Sequence, residues 1–222
     1  IGDIIGFGNG ENEFNNNTFF TRDNFGESYK ETGAEYSNQM VFDFMFNGGF
    51  LLHPKPEWTV SDDTIMLFAN AEGLIKWHND KDKTIKSLIN YIKIEYINII
   101  KDRIKLENFE RIYKGGLTTI TNLKKLKNGD DYNLFPYEDK AGGSGGTMRA
   151  GIFGIVFNNE TDKLKLIEST IESTLLTHPN AIAFLGSVAL ALFASYAMQG
   201  KKIQKWCIEM LEIMESNIID NY

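Results

Sequence analysis

Cysteine is almost absent from this chain: Cys207 is the single one in 222 residues. One thiol cannot build an intrachain disulfide framework, and it excludes zinc sites made from several cysteines. The helical context of Cys207 predicts a packing role, since nucleophilic catalysis needs a neighbouring base that the sequence does not supply. Histidine is nearly as scarce, and His53, His78 and His178 lack the spacing of a zinc motif. Positive charge is also short. The net charge is −7, whereas nucleic-acid binding needs a clustered basic surface, so no nucleic-acid partner is expected. Lys101 to Lys105 and Lys124 to Lys127 are short basic runs of the kind that solvate helix faces.

Long apolar runs are lacking, with one exception. Ala181 to Met198 carries no charge, close to the lower length limit for a membrane span. It is dominated by alanine and interrupted by Gly186, Ser187, Ser195 and Tyr196, where spans are richer in Leu, Ile, Val and Phe. Asn180 is placed to cap it and Gly200 to end it. A buried central helix is expected, not a membrane anchor. The chain also lacks an initiating methionine and begins at Ile1 in what reads as the middle of a motif, so a fragment is expected at the N-terminus. No signal peptide is visible, and a cytoplasmic location is expected.

What is present is ordinary for a globular domain: 42% hydrophobic and 24% charged residues, enough for one substantial core. A single domain over residues 1–222 is expected. The first sixty residues are irregular, rich in Asn and Gly and broken by Gly48-Gly49, Pro54 and Pro56. Helical spacing then predicts a helix from about Thr64 to Trp77 that buries Ile65, Phe68, Leu74 and Ile75. A second helix runs from about Thr84 to Lys105 with Leu88, Ile92, Ile99 and Ile104 inward. A short one follows Gly115-Gly116 through Leu126, before a turn at Asn128-Gly129-Asp130. Ile152 to Phe157 reads equally as strand or helix. Leu164 to Leu176 is amphipathic, and Ile203 to Met214 places Trp206, Met210 and Leu211 on one face. No internal repeat is visible. The class is all-α.

Two stretches carry candidate chemistry. In Ser61-Asp62-Asp63-Thr64, adjacent carboxylates flanked by hydroxyls stand where irregular chain becomes helix. Ser61 is a good N-cap, and two acidic residues suit the positive end of the helix dipole. The same hard oxygens suit Mg²⁺ or Ca²⁺. Gly142-Gly143-Ser144-Gly145-Gly146 is open to three readings: a linker, a structural turn, or a loop whose backbone N–H groups approach a phosphate or sugar. It has neither the spacing nor the lysine of a P-loop. Thr147-Met148-Arg149 leads from it straight into an apolar run.

Taken in order, these motifs resemble the ADP-ribosylglycohydrolase family, and most closely its ADP-ribosylarginine hydrolase branch. Gly2-Asp3-Ile4-Ile5-Gly6 is similar to the family's opening motif, with Asn9-Gly10 and Glu13-Phe14 continuing it. Trp58 to Thr64 with Met66 matches the first metal motif. Gly142 to Arg149 matches the substrate loop. Thr177-His178, Phe184-Leu185-Gly186, Leu192-Phe193, Gln204 and Trp206 match the segments after it.

The resemblance implies an all-α, orthogonal multi-helix bundle and a hydrolase with two Mg²⁺ ions, acting on ADP-ribosylated proteins as a monomer. Ser61, Asp62 and Asp63 are the implied metal ligands, with Asp62 and Asp63 the implied catalytic carboxylates. Asp62 is favoured as the group that receives a proton or stabilises the developing cation. Gly143, Ser144 and Gly145 are the implied substrate loop, with Tyr137 an implied aromatic contact. His178 matches a histidine near the nucleotide, although a lone histidine is as often a helix-end packing residue.

Asn9-Gly10 stands where the serine-directed branch has a glutamate, which favours arginine linkage. The aspartate-rich second metal motif has no counterpart after Gly186, so the resemblance implies a domain incomplete at its C-terminus and inactive alone. A catalytically silent relative that binds ADP-ribose or acts structurally is the competing reading. A helical domain that uses the acidic motif only for capping is another.

Overall fold

The computed structural model describes Asp3, Met45, residues 60–104 and residues 116–219. The expectation of an irregular N-terminal sixty, the rest of the Gly2 to Gly6 motif, Asn9-Gly10, Glu13-Phe14 and Trp58 fall outside the described residues. The chain divides into two compact units, Ile1–Ser61 and Asp62–Tyr222.

The described residues form seven α-helices and no strand: α1 (Asp62–Asn79), α2 (Ile85–Ile104), α3 (Leu117–Asn128), α4 (Gly151–Val156), α5 (Lys163–Leu175), α6 (Ala181–Met198) and α7 (Trp206–Met214). Short 3₁₀ turns at Asp139–Ala141 and Thr147–Arg149 flank the glycine loop. Local chemistry explains several of these boundaries. Helix α1 has Asp62 and Asp63 in its first turn and Lys76 and His78 in its last, each sign complementing the dipole end beside it. Thr84 Oγ1 accepts from Ser87 N–H at 3.2 Å and caps α2. Asn180 Oδ1 accepts from Ile182 N–H at 2.9 Å and starts α6, whose chain then turns away at Gly200.

Helices α1 and α2 pack together, and α2 also meets α3 and α5. The buried face of α1 differs from the one the spacing suggests. Leu74 is buried as expected, but Phe68 and Ile75 are exposed and Ile65 is only half-buried; Met66, Ala69 and Trp77 take their place in the core. Apolar residues run around much of this helix, so periodicity alone does not select the inward face. On α2 the core side chains are Leu88, Ile89, Ile92, Tyr96 and Ile100, with Ile99 packed at the edge.

The ambiguous Ile152 to Phe157 stretch is helical through Val156 because it lies against α6. The contact is at backbone distance. A Cβ added to Gly154 would stand 2.0 Å from the Ala191 carbonyl oxygen and 2.8 Å from Ala194 Cβ. Only glycine permits that approach. Helix α6 is long and apolar enough to cross a membrane, with a mean hydropathy of 2.0. Its burial is one-sided: Ala183, Phe184, Val188, Ala191, Leu192 and Tyr196 are interior, while Ile182 and Met198 are exposed. In α7, Trp206 and Met210 pack against the core, but Leu211 is exposed. Cys207 is exposed too, which removes the packing role its helical context suggested.

Candidate functional site

In the first unit, Asp3 holds Ser61 at two points. Its carboxylate accepts from Ser61 N–H at 3.0 Å and from Ser61 Oγ–H at 2.5 Å. The opening motif and the residue before α1 are thereby joined across 58 positions of sequence, a role for Asp3 that sequence reasoning missed.

In the second unit, Asp62 and Asp63 occupy the first turn of α1, the former buried and the latter exposed. Burial and then repulsion from Asp63 push the Asp62 carboxyl up to about 6; the Gly116 N–H, its own N–H and the Arg149 charge oppose that rise. A buried carboxylate held against its neighbour's charge is a group whose ionised form a divalent cation stabilises. The donor chemistry therefore fits one side of a hard-cation site. Among the described residues no group of three or more His, Cys, Asp or Glu is gathered, so within the second unit Asp62 and Asp63 alone offer carboxylates to such an ion.

The glycine loop is not a free linker. Met148 N–H donates to Ser144 O at 2.9 Å and Ala150 N–H to Thr147 O at 3.0 Å, winding the loop into the 3₁₀ turn and on into α4. Gly143 and Ser144 are exposed, whereas Gly146 is buried. A Cβ on Gly145 would lie 2.4 Å from His178 Cε1, 2.7 Å from His178 Nε2 and 3.2 Å from Thr119 Oγ1. The absent side chain lets the loop backbone rest on the imidazole and on α3. Tyr137, largely exposed, receives a hydrogen bond at its hydroxyl from Asn180 Nδ2 at 3.2 Å. The same Asn180 caps α6 and donates to Glu138 O at 2.9 Å. Loop, Tyr137 side and α6 start are thus tied together.

Behind the loop lies Arg149, only 1% exposed. Its Nη2 donates to Ser173 O at 3.0 Å and to Thr177 Oγ1 at 2.6 Å. Its guanidinium carbon sits 4.9 Å from the centre of the Tyr96 ring, a cation–π contact inside the core. The Arg149 carbonyl accepts from Asn70 Nδ2 at 2.9 Å, and Tyr96 Oη donates to Asn70 Oδ1 at 2.5 Å. Arg149 Nε and Nη1 have no hydrogen-bond partner, and no ion pair neutralises the group among the described residues. A buried, unneutralised cation is costly in an ordinary core.

His178 joins this hub through Thr177. Thr177 Oγ1 lies 2.8 Å from His178 Nδ1. Burial, reinforced by the Arg149 charge, lowers the imidazole to about 3, so it is neutral at physiological pH. His178 is therefore both a helix-end packing residue and a polar group facing the loop.

Asp62 and the glycine loop share two supports. The Gly116 N–H, which lowers the Asp62 carboxyl, immediately precedes α3, which carries Thr119 beside Gly145. Arg149 acts electrostatically on both Asp62 and His178. Gly145 and His178 are thus in direct contact and the Arg149 charge acts on both His178 and Asp62, while Tyr137 connects through Asn180. Asn70, Tyr96, Thr119 and Thr177 were missed as site residues; the prior signals were the position of Arg149 directly after the loop and of Thr177 directly before His178.

A family model described as ADP-ribosylglycohydrolase matches residues 1–220. The chain is 30% identical, over its whole length, to a provisionally named ADP-ribosyl glycohydrolase of Acanthamoeba polyphaga mimivirus, covering 40% of that protein. It is 32% identical over 163 residues to ADP-ribosylhydrolase ARH1 of Dictyostelium discoideum, an alignment covering 72% of this chain and 40% of that protein. The chain spans about two fifths of the length of these curated relatives.

Proposed function

The chain belongs to the ADP-ribosylglycohydrolase family, and from that premise we propose that the protein hydrolyses the N-glycosidic bond between ADP-ribose and arginine side chains of modified proteins. The observation that carries this reading is the seating of Gly145 on a neutral, buried His178, with Arg149 linking that seat to the carboxylate of Asp62. Arginine linkage rests on Asn9-Gly10 in the opening motif.

In this reading Gly143, Ser144 and Gly145 hold the ADP-ribose by backbone approach, with Tyr137 at the rim and His178 beneath. Ser61, Asp62 and Asp63 would hold magnesium, two ions being the family pattern, which when bound orients ribose hydroxyls and lowers the pKa of water. The protein's own part in the chemistry falls to Asp62. As the anomeric carbon–nitrogen bond breaks, positive charge develops on the ribose, as in other glycoside hydrolysis. The ionised Asp62 carboxylate stabilises that charge and takes a proton from the attacking water, whose oxygen bonds the anomeric carbon. The proton then passes to the departing guanidine nitrogen.

Measured on the full-length protein, release of ADP-ribose from ADP-ribosylated arginine, with and without magnesium and a chelator, tests the proposal. Asp62→Asn is expected to lower kcat by about 10²–10⁴-fold, the range for loss of a general base. Unchanged turnover in that variant removes Asp62 from the chemistry. Cleavage of serine-linked ADP-ribose in preference to arginine-linked overturns the linkage, and binding of ADP-ribose without any turnover identifies a silent binding relative.

A further inference from the structure

Arg149, Thr177 and His178 form a buried chain whose proton count has only one solution. Thr177 Oγ1 stands between Arg149 Nη2 at 2.6 Å and His178 Nδ1 at 2.8 Å, and all three residues are at least 95% buried. A guanidinium only donates, so the Arg149 bond occupies one lone pair of the Thr177 oxygen. The hydroxyl has a single proton to place. If His178 Nδ1 carried hydrogen it would also donate to Oγ1, and the hydroxyl proton would be left without an acceptor among the described residues. Such a buried orphan donor carries the full desolvation penalty of its group. The alternative leaves no fully buried donor orphaned: Thr177 donates to an unprotonated Nδ1, and the neutral ring carries its hydrogen on Nε2, which is not among the fully buried atoms left without a partner. That nitrogen has no hydrogen-bond partner among the described residues, and it faces the position of Gly145, 2.7 Å from where a Cβ would be.

We propose that Arg149 is a positioning residue that acts through Thr177 to lock His178 in its Nε2–H tautomer, so that Nε2–H is offered as a neutral donor to an acceptor oxygen of ADP-ribose at the Gly143–Gly145 loop. The lock stands on the geometry alone; the identity of the acceptor rests on the function proposed above. The same arrangement gives the Arg149 charge a use. The guanidinium polarises the Thr177 hydroxyl toward the ring and opposes a second proton there, consistent with the lowered imidazole pKa. A donor without a charge discriminates by direction, because it must point at its acceptor.

The test is a long-range ¹H–¹⁵N correlation spectrum of the ¹⁵N-histidine-labelled protein at neutral pH, with His178 assigned by its loss in His178→Gln. The wild type is expected to show His178 as a single Nε2–H tautomer. Thr177→Ser, which keeps the hydroxyl, should retain it. Thr177→Val and Arg149→Met should each give a mixture of tautomers. Thr177→Val is near-isosteric and carries the test independently if removal of the buried guanidinium prevents folding. An Nδ1–H tautomer in the wild type, or the same single tautomer in both disruptive variants, overturns the lock. Adding ADP-ribose is expected to shift the Nε2–H proton of the wild type. An unmoved proton in a protein that retains the tautomer overturns the ligand half and leaves the lock intact.

Discussion

The hub around Arg149 and the contact of α4 with α6 are both buried, yet they are built on opposite terms. Between α4 and α6 the fit is one of volume: Gly154 stands at backbone distance from Ala191, and Val188 and Leu192 fill the interior around it. Such packing responds to substitution in proportion to the volume gained or lost. Around Arg149 the fit is one of donors and acceptors. Asn70, Tyr96, Ser173, Thr177 and His178 each have a specific partner, and an altered member strands the others. The apolar contact is complete in itself. Among the described residues the polar hub carries a buried cation with two unpartnered nitrogens, which stability alone does not require. Departures of this kind belong to sites where a protein holds chemistry in place.

Acid separates the two regions most sharply. Because the folded state holds His178 at about 3 against about 6.5 when unfolded, the unfolded chain binds a proton the folded chain refuses. Stability from this group is complete above about 6.5 and is lost as pH falls toward about 3. Between about pH 7 and about pH 4 the loss should be on the order of 3 kcal/mol. It is read as the difference in urea stability between wild type and His178→Gln, because Asp62 is common to both and cancels. Equal acid sensitivity in the two proteins would show that His178 is accessible to protons in the folded state.

In the apolar region pH should matter little and volume much. Leu192→Ala is expected to destabilise by about 3 kcal/mol through its cavity, measured by chemical denaturation. Gly154→Ala should come next, at about 2 kcal/mol, because its methyl would meet a backbone oxygen that cannot turn aside. A neutral Gly154→Ala would mean that α4 can lift from α6 at no cost. The smallest effect is expected on the exposed face of the same helix, where Met198→Ala should change stability by no more than about 0.5 kcal/mol. A large loss there would mean that something covers that face.

How legible each region was in the sequence follows from the range of its interactions. Asn180 at the start of α6 and the acidic pair at the start of α1 were readable because caps and helix dipoles act within a turn or two. The inward face of α1 was not. Phe68 and Ile75 are as apolar as Met66 and Trp77, and only the elements packed against α1, chiefly α2, decide which pair is buried. The 151–156 stretch had the same difficulty, since a short apolar run fits strand and helix equally until a neighbour is known. Cys207 was assigned to packing by its helix alone and lies on the exposed side. Within the candidate site, Asp62, Gly145 and His178 were visible as motif residues, but the arginine that connects them was visible only as the end of a motif.

By itself the sequence determined that this is a helical protein, roughly where its helices begin and end, and which short motifs bear carboxylates, glycines and a histidine. Those properties depend on contacts a few residues long. Tertiary structure alone decided that Asp3 grips Ser61, that Arg149 is buried behind the glycine loop without an ion pair among the described residues, and that His178 is kept neutral. Each of these depends on distant partners, 58 residues apart for Asp3 and Ser61, 79 for Asn70 and Arg149 and 24 for Arg149 and Ser173. Charge state and hydrogen-bond direction follow from burial and from the groups that burial brings together, and neither exists until the chain has folded.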